Sequence, residues 1–194
     1  MSDFCPSIWP EEFPPDDCDN CDKCGLAEHG SRMIWGEGNS DAPIMVVLDN
    51  PGVREDREGN PFVCGTRQTL QETVNSVGLQ PDDLYVTYIL KRKPTRKYYK
   101  QKTREICMRH LEYQLQNKNP KYIICLGNVA VRSFFQDDEA EVKNLRGKMY
   151  DVKGIQTTVA YHPLAVRRRP NLKKLFLVED WQFVADKFNE NRLC

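Results

Sequence analysis

The chain has 194 residues, and its 28 basic and 28 acidic side chains give a formal net charge of zero. This length is sufficient for a hydrophobic core and predicts one domain spanning residues 1–194. No apolar run reaches the ~20 residues of a membrane-spanning helix, and an acidic, proline-rich N-terminus is unlike a secretory signal. We therefore expect an intracellular, cytoplasmic protein without a membrane partner.

Charge is distributed unevenly along the sequence. Seven acidic and no basic side chains precede Lys23, eight basic and no acidic ones lie in 91–104, and a second basic block covers 167–174. Such blocks are often only solvated surfaces, but beside a ligand site they favour phosphate binding.

The first 20 residues contain four prolines and little periodicity, which predicts an extended N-terminal arm. The motif Cys18-x2-Cys21-x2-Cys24 follows. Eight cysteines in a reducing compartment indicate metal or cluster ligation rather than disulfides.

Ile44 to Leu48 is an apolar run typical of a buried strand, and it ends at the turn Asp49-Asn50-Pro51-Gly52. Further strands are predicted at 84–90, 122–126, 149–152 and 156–161, and helices at 68–77, 103–116, 129–135 and 175–188. This alternation predicts a mainly parallel sheet covered on both sides. The polar turn would then lie at the carboxyl edge of the sheet, where such folds bind ligands.

A charged loop at 54–58 separates that turn from Gly59-Asn60-Pro61-Phe62. A phenylalanine in so polar a segment is either a stacking surface or a ring folded back onto the protein, and composition does not decide between them.

The segment Trp35-Gly36-Glu37-Gly38-Asn39, the turn after the first strand, and Gly59-x-Pro61-Phe62-Val63 together resemble the family 4 uracil-DNA glycosylases. The resemblance runs from about residue 21 to about residue 168. It implies a three-layer α/β/α sandwich with a central, mainly parallel four-stranded sheet. It also implies a DNA glycosylase, which extrudes a nucleotide from the duplex and reads the free base.

The resemblance assigns roles to individual residues. Asp49 stands in the catalytic carboxylate position, where the family has glutamate, and His162 belongs to His162-Pro163-Leu164, similar to a His-Pro-Ser motif. Phe62 would stack on the base, with Asn50, Gly52 and Tyr88 as the other base-binding residues. Leu164 would wedge into the duplex, and Lys91, Arg92, Arg167 and Arg168 would bind DNA.

Family members hold a [4Fe-4S] cluster with four cysteines, and three of those positions are matched by Cys21, Cys24 and Cys107. Arg92 occupies the place of the remaining one and cannot ligate iron. Cys18 is the preferred substitute because clusters need thiolate ligands, usually four, and Cys5 is a weaker candidate. A zinc site, a three-cysteine cluster with a foreign ligand, and no metal remain alternatives.

Tyr88 replaces the asparagine with which the family reads uracil. A single phenol hydroxyl cannot copy a bidentate amide, and loss of such a pair costs about 1–3 kcal/mol of discrimination by analogy with base readout. Asn50 supplies the missing amide, or the substrate is another base, or the domain binds DNA without cutting it. The segment 96–100 has no histidine, so the covalent trapping seen in a related branch of the superfamily is not implied.

The sequence thus predicts a monomeric glycosylase acting on uracil or a modified pyrimidine in DNA, in base-excision repair or in defence against modified phage DNA. No obligate protein partner is indicated. The alternative is a catalytically silent iron-sulfur DNA-binding module of the same fold. A nucleotide-binding protein unrelated to DNA has little support because the chain has no phosphate loop or dinucleotide fingerprint.

Overall fold

A computed structural model of the chain describes residues 6–53 and 65–190. Its strands form one sheet in the order β1-β2-β4-β3-β5-β7-β6. The strands are β1 (Glu11–Glu12), β2 (Gly36–Gly38), β3 (Ile44–Leu48), β4 (Leu84–Tyr88), β5 (Tyr122–Leu126), β6 (Tyr150–Val152) and β7 (Ile155–Ala160).

The centre of the sheet consists of the four parallel strands β4, β3, β5 and β7. This confirms the predicted parallel core. The sheet is wider than the four strands expected, because β1 and β2 extend one side and β6 the other, all in antiparallel pairing. The strands β1 and β2 are only two or three residues long, too short to give a clear alternating pattern in the sequence, whereas β6 lies within the predicted strand 149–152.

The helices flank the sheet, and those predicted at 68–77, 103–116 and 129–135 lie within a few residues of observed helices, whereas four short helices of the described residues were not predicted. They are α1 (Asp16–Asp19), α2 (Gly65–Ser76), α3 (Lys100–Lys118), α4 (Asn128–Phe135), α5 (Val142–Leu145), α6 (Pro163–Arg168), α7 (Asn171–Lys174) and α8 (Gln182–Glu190). The predicted C-terminal helix is interrupted by a π-helical segment, Leu175–Trp181.

Alternate residues of the central strands face two separate cores, as expected for strands covered on both sides. Val46 and Val86 pack with α2 and the C-terminal helices, around Leu70 and Trp181. The opposite face packs against α3 and α4 through a set that includes Met45, Leu111, Ile123 and Phe134. The molecule is therefore the three-layer α/β/α sandwich that the resemblance implied.

The N-terminal arm is tied to the sheet rather than merely lying on it. Within it, β1 pairs with β2, and Glu12 forms an ion pair of 2.8 Å with Lys118 of α3. Glu12 also accepts a hydrogen bond from the Tyr85 hydroxyl. None of the helices within 6–53 and 65–190 has the length and apolarity needed to cross a membrane.

Candidate active site

The carboxyl ends of the parallel strands bring the predicted site residues together. Leu48 is in register with Tyr88, and Leu126 with Ala160. Asp49 and His162 follow the strand ends of β3 and β7 closely, so both fall at the same edge of the sheet. The turn after β3 is held in place by the backbone N–H of Leu90, which donates to the Asp49 carbonyl at 2.9 Å.

A small cavity of about 220 Å³ opens at this edge. Its size is below the ~300–1,000 Å³ typical of pockets for drug-sized ligands, which suits a single base better than a whole nucleotide. It is lined by Leu48, Asp49, Asn50, Gly52, Thr66, Tyr88, His162 and Leu164. Larger cavities occur in the described part of the chain, one between α3 and α4 and another between α2 and the helices that follow β7.

The carboxylate of Asp49 is fixed locally by its own turn. The backbone N–H of Asn50 donates to Asp49 Oδ1 at 2.8 Å, and the Asn50 side-chain amide donates to the Pro51 carbonyl at 2.7 Å. One amide hydrogen of Asn50 is therefore used within the turn. The predicted role of Asn50 as base reader stays a prediction.

His162 has its tautomer set by the helix that it begins. It is the N-cap of α6, and its Nδ1 accepts the backbone N–H of Leu164 at 3.1 Å. In a neutral imidazole one nitrogen accepts and the other carries the proton, so the proton is on Nε2. Gly127 allows the close approach of this ring, because a Cβ there would lie 3.1 Å from the His162 Cβ, and its φ of +87° favours glycine.

Asp49 and His162 face each other, with 3.7 Å between Asp49 Oδ1 and His162 Nε2. This is too long for a direct hydrogen bond but close enough for a strong electrostatic effect. Burial opposes ionisation of Asp49, yet His162 and the Asn50 N–H outweigh it and hold the Asp49 pKa below its ordinary value. The pair thus presents a stable carboxylate and an N–H donor to the same small cavity.

Two further residues complete the cavity wall. Tyr88, in the position of the family's reading amide, is only 2 % exposed and belongs to the core on the α2 side of the sheet. Thr66, the second residue of α2, was missed by sequence reasoning. The only feature of the sequence that could have indicated a role for Thr66 is its position just after the Gly-x-Pro-Phe-Val motif. Phe62, predicted to stack on the base, lies outside the described residues.

The residues predicted to touch DNA divide into two groups. Leu164 is 44 % exposed beside the cavity, and Arg167 and Arg168 are exposed at the end of α6. Arg167 also lies over the first residue of α2, since a Cβ added to Gly65 would be only 1.8 Å from its Nη1.

The prediction that Lys91 binds DNA is wrong. Lys91 is 1 % exposed, and its ammonium donates to Thr87, to the Tyr88 carbonyl and to Gln114 at 2.6, 2.9 and 2.7 Å. Burial lowers its pKa to about 7. Arg92 is half-buried and donates to the Ser31 carbonyl at 2.7 Å.

The four candidate cluster cysteines occur as two close pairs. Cys107 donates a hydrogen bond to the sulfur of Cys24, which lowers the pKa of Cys24 to about 6 and raises that of Cys107. The backbone N–H of Leu26 also points at the Cys24 sulfur. Cys18 is buried near Cys21, and burial together with the Asp17 carboxylate raises the pKa of Cys18.

Four cysteine thiols are the donor type that an iron-sulfur cluster takes. Across 6–53 and 65–190, no group of three or more Cys, His, Asp or Glu side chains converges on one point. Backbone N–H groups aimed at cysteine sulfur, as at Cys24 and Cys107, stabilise thiolates of this kind.

The other two histidines lie away from the cavity. His110 packs edge-on against Trp35, and burial lowers its pKa to about 4. His29 accepts the backbone N–H of Thr95 through Nδ1. Both histidines thus make structural contacts within the protein.

Fold and cavity together define an α/β/α protein with a carboxylate and an imidazole opposed at the carboxyl edge of its sheet. The model of the uracil DNA glycosylase superfamily matches residues 35–185. The chain is 34% identical over 163 residues to the type-4 uracil-DNA glycosylase of Archaeoglobus fulgidus, covering 80% of this chain and 82% of that protein. The counterpart of the same name from Pyrobaculum aerophilum is 32% identical, covering 81% and 84%.

The chain therefore belongs to the uracil DNA glycosylase superfamily.

Proposed function

We propose that this protein is a DNA glycosylase that hydrolyses the N-glycosidic bond of a flipped-out uracil or modified pyrimidine and leaves an abasic site. The observation that carries this proposal is the opposition of Asp49 and His162, 3.7 Å apart, across a cavity of base size. Support also comes from the relatives named type-4 uracil-DNA glycosylase, which match over most of their length. Uracil is thus the first base to test.

Asp49 acts on the sugar side of the reaction. As the glycosidic bond breaks, positive charge develops on the sugar, and a fixed carboxylate stabilises it while orienting the attacking water. The lowered Asp49 pKa keeps this group ionised at neutral pH. Since aspartate is one methylene shorter than the family's glutamate, water bridges more of the distance to the sugar.

His162 acts on the base side. Its Nε2–H donates a hydrogen bond to the pyrimidine O2 and stabilises the negative charge of the departing base. Because Nδ1 already accepts the Leu164 N–H, the donor is in place before the base enters. No proton has to be redistributed within the ring at the moment of reaction.

DNA is held by the surface around the cavity. Leu164 enters the duplex as a wedge and compensates for the extruded base. Arg167 and Arg168 bind phosphates on the same side, and Arg92 contributes at the margin. Phe62, which precedes α2 in the sequence, stacks on the base in this proposal, and Gly52 leaves room for the base beside the turn.

Cys18, Cys21, Cys24 and Cys107 hold a [4Fe-4S] cluster in this proposal. Two observations support these four cysteines as cluster ligands: they lie in two close pairs, and the pKa of Cys24 is low. When bound, the cluster supplies a covalent cross-link between the N-terminal cysteine motif and α3. The protein then acts as a single domain of residues 1–194, as a monomer, in base-excision repair or in defence against modified phage DNA.

The test is a panel of duplexes carrying uracil and modified pyrimidines, followed by alkali to reveal abasic sites. Asp49→Asn and His162→Ala should each lose about 10²–10⁴-fold in rate while DNA binding is retained. Tyr88→Asn should raise uracil excision if only the reading residue has changed.

A second candidate, a silent DNA-binding module, is favoured by one observation, the replacement of the reading amide by the buried Tyr88. Binding of every duplex without cleavage of any would establish that alternative and overturn the glycosylase proposal.

A further inference from the structure

Several hydrogen-bonding groups of the cavity already form hydrogen bonds within the protein before a base binds. Asp49 accepts the Asn50 N–H, and Asn50 donates one amide hydrogen to the Pro51 carbonyl. His162 Nδ1 accepts from Leu164, and its Nε2 belongs to the chemical step. Asn50 keeps its Oδ1 and one amide hydrogen, so a further polar group on the cavity wall can share the reading of the base.

The hydroxyl of Thr66 is available for this task. Thr66 is half-buried on the cavity wall, and its side chain makes no hydrogen bond with any residue in 6–53 or 65–190. The next threonines of α2 differ, because Thr69 donates to the Gly65 carbonyl at 2.8 Å and Thr73 to the Thr69 carbonyl at 2.6 Å. Their hydroxyls are satisfied within the helix, whereas Thr66 lines the cavity.

Apart from Asn50, the remaining lining residues do not offer an equivalent side-chain group. Leu48 and Leu164 are apolar, Gly52 has only backbone, and Tyr88 is packed in the core. A half-buried hydroxyl on the wall of a small cavity gains most when a ligand satisfies it, since leaving it unpaired in a closed complex is costly.

We propose that Thr66 is a specificity-determining residue that hydrogen-bonds the polar edge of the extruded pyrimidine, in place of the family's amide. This inference rests on the proposed glycosylase function. A hydroxyl has one donor and two acceptor sites and rotates freely. Thr66 can therefore hydrogen-bond either a keto or an amino group. The site then recognises a polar pyrimidine edge through a single hydroxyl, without the two paired hydrogen bonds of an amide.

The test separates recognition of the base from binding of the DNA backbone. One duplex carries 2′-fluoro-arabino-deoxyuridine, a uracil nucleotide whose glycosidic bond resists hydrolysis. The other carries a tetrahydrofuran abasic analogue, which has the backbone but no base. The proteins are wild type, Thr66→Val, which keeps the shape but removes the hydroxyl, Thr66→Ser, which keeps the hydroxyl, and Thr69→Val as the matched control on the same helix.

Thr66→Val should weaken binding of the uridine duplex by about 3- to 10-fold, the range of one hydrogen bond, and leave the tetrahydrofuran duplex within 2-fold of wild type. Thr66→Ser and Thr69→Val should bind both duplexes as wild type does. In the excision assay, Thr66→Val should change the ratio of rates between bases, which a merely structural defect would not do. Equal losses on both duplexes, or no loss on the uridine duplex, would overturn the inference.

These results are distinguishable from a failure of the proposed function. Wild-type protein that releases no base from the panel overturns the glycosylase proposal. Wild-type protein that binds the uridine and tetrahydrofuran duplexes equally overturns base reading by Thr66, whether or not a base is released.

Discussion

Arg67 and Glu37 form a two-pronged ion pair in the protein interior, with Nε to Oε1 at 2.8 Å and Nη2 to Oε2 at 2.6 Å. Their side chains are only 3% and 0% exposed. The pair joins β2 to α2, the helix that carries Thr66. It therefore fixes one wall of the cavity to the edge of the sheet.

Breaking this pair on one side should be strongly destabilising. Arg67→Met removes the guanidinium from the buried Glu37 carboxylate, and breaking one side of a buried ion pair typically costs about 3–5 kcal/mol. Urea unfolding at neutral pH measures the loss. In the double variant Glu37→Gln and Arg67→Met, part of the stability should return, because no unpaired charge remains. A loss of less than about 1 kcal/mol in the single variant would contradict the assignment.

The lowered pKa of Asp49 predicts a specific pH dependence of stability. Its folded-state pKa lies below the unfolded value of ~3.9, so its contribution is fully present above pH ~4 and is lost as pH falls through the folded pKa. The stability difference between wild type and Asp49→Asn should therefore be constant from pH 7 to 5 and shrink below pH 4. Unfolding curves at pH 7, 5 and 3.5 check this. A difference that closes between pH 7 and 5 would show a raised pKa instead.

The basic residues at the end of α6 should govern the salt dependence of DNA binding. Each phosphate contact contributes about 0.9 to the slope of log affinity against log salt, so Arg167→Gln with Arg168→Gln should flatten it by ~2. Lys153→Gln is the control, because Lys153 precedes β7 at the opposite edge of the sheet and pairs with Glu112. An unchanged slope in the double variant would place the phosphates elsewhere.

Gly65→Ala offers an independent probe of the same surface. An added Cβ would collide with the Arg167 guanidinium, so Arg167 must move away from α2. Duplex affinity at low salt should fall about as far as in Arg167→Gln, with little further loss when the two changes are combined. Additive losses would mean that Gly65 acts through something other than Arg167.

Metal content tests the proposed ligand set. Protein purified without oxygen should be brown and contain iron and sulfide, and Cys18→Ser should bleach it as fully as Cys21→Ser or Cys107→Ser. Cys125→Ser is the matched control, since Cys125 is fully buried within β5 and should keep the colour. Colour retained in Cys18→Ser would move the fourth ligand elsewhere, and zinc in place of iron would remove the cluster.

The sequence predicted the parallel strands well because their apolar runs are bounded by turns, and parallel pairing then places Asp49 and His162 at one edge. It could not predict the fate of Lys91. A lysine within a basic block is typical of a surface residue. Here Thr87 and Gln114, brought together by β4 and α3, satisfy the buried ammonium together with the Tyr88 carbonyl. Thr66 was missed for the converse reason, because a threonine at a helix start has no chemical signature until the cavity exists.

The place of β1 and β2 at the rim of the sheet has a consequence for how the protein acquires its fold during synthesis. On its inner side β2 pairs with β4, which is made about 50 residues later than β2, and Glu12 pairs with Lys118. Contacts so distant in sequence form late, because a long loop must close before they are gained. The arm and its cysteine motif thus wait in an unpaired state until α3 emerges, and the nascent chain is most exposed to misassociation during that interval.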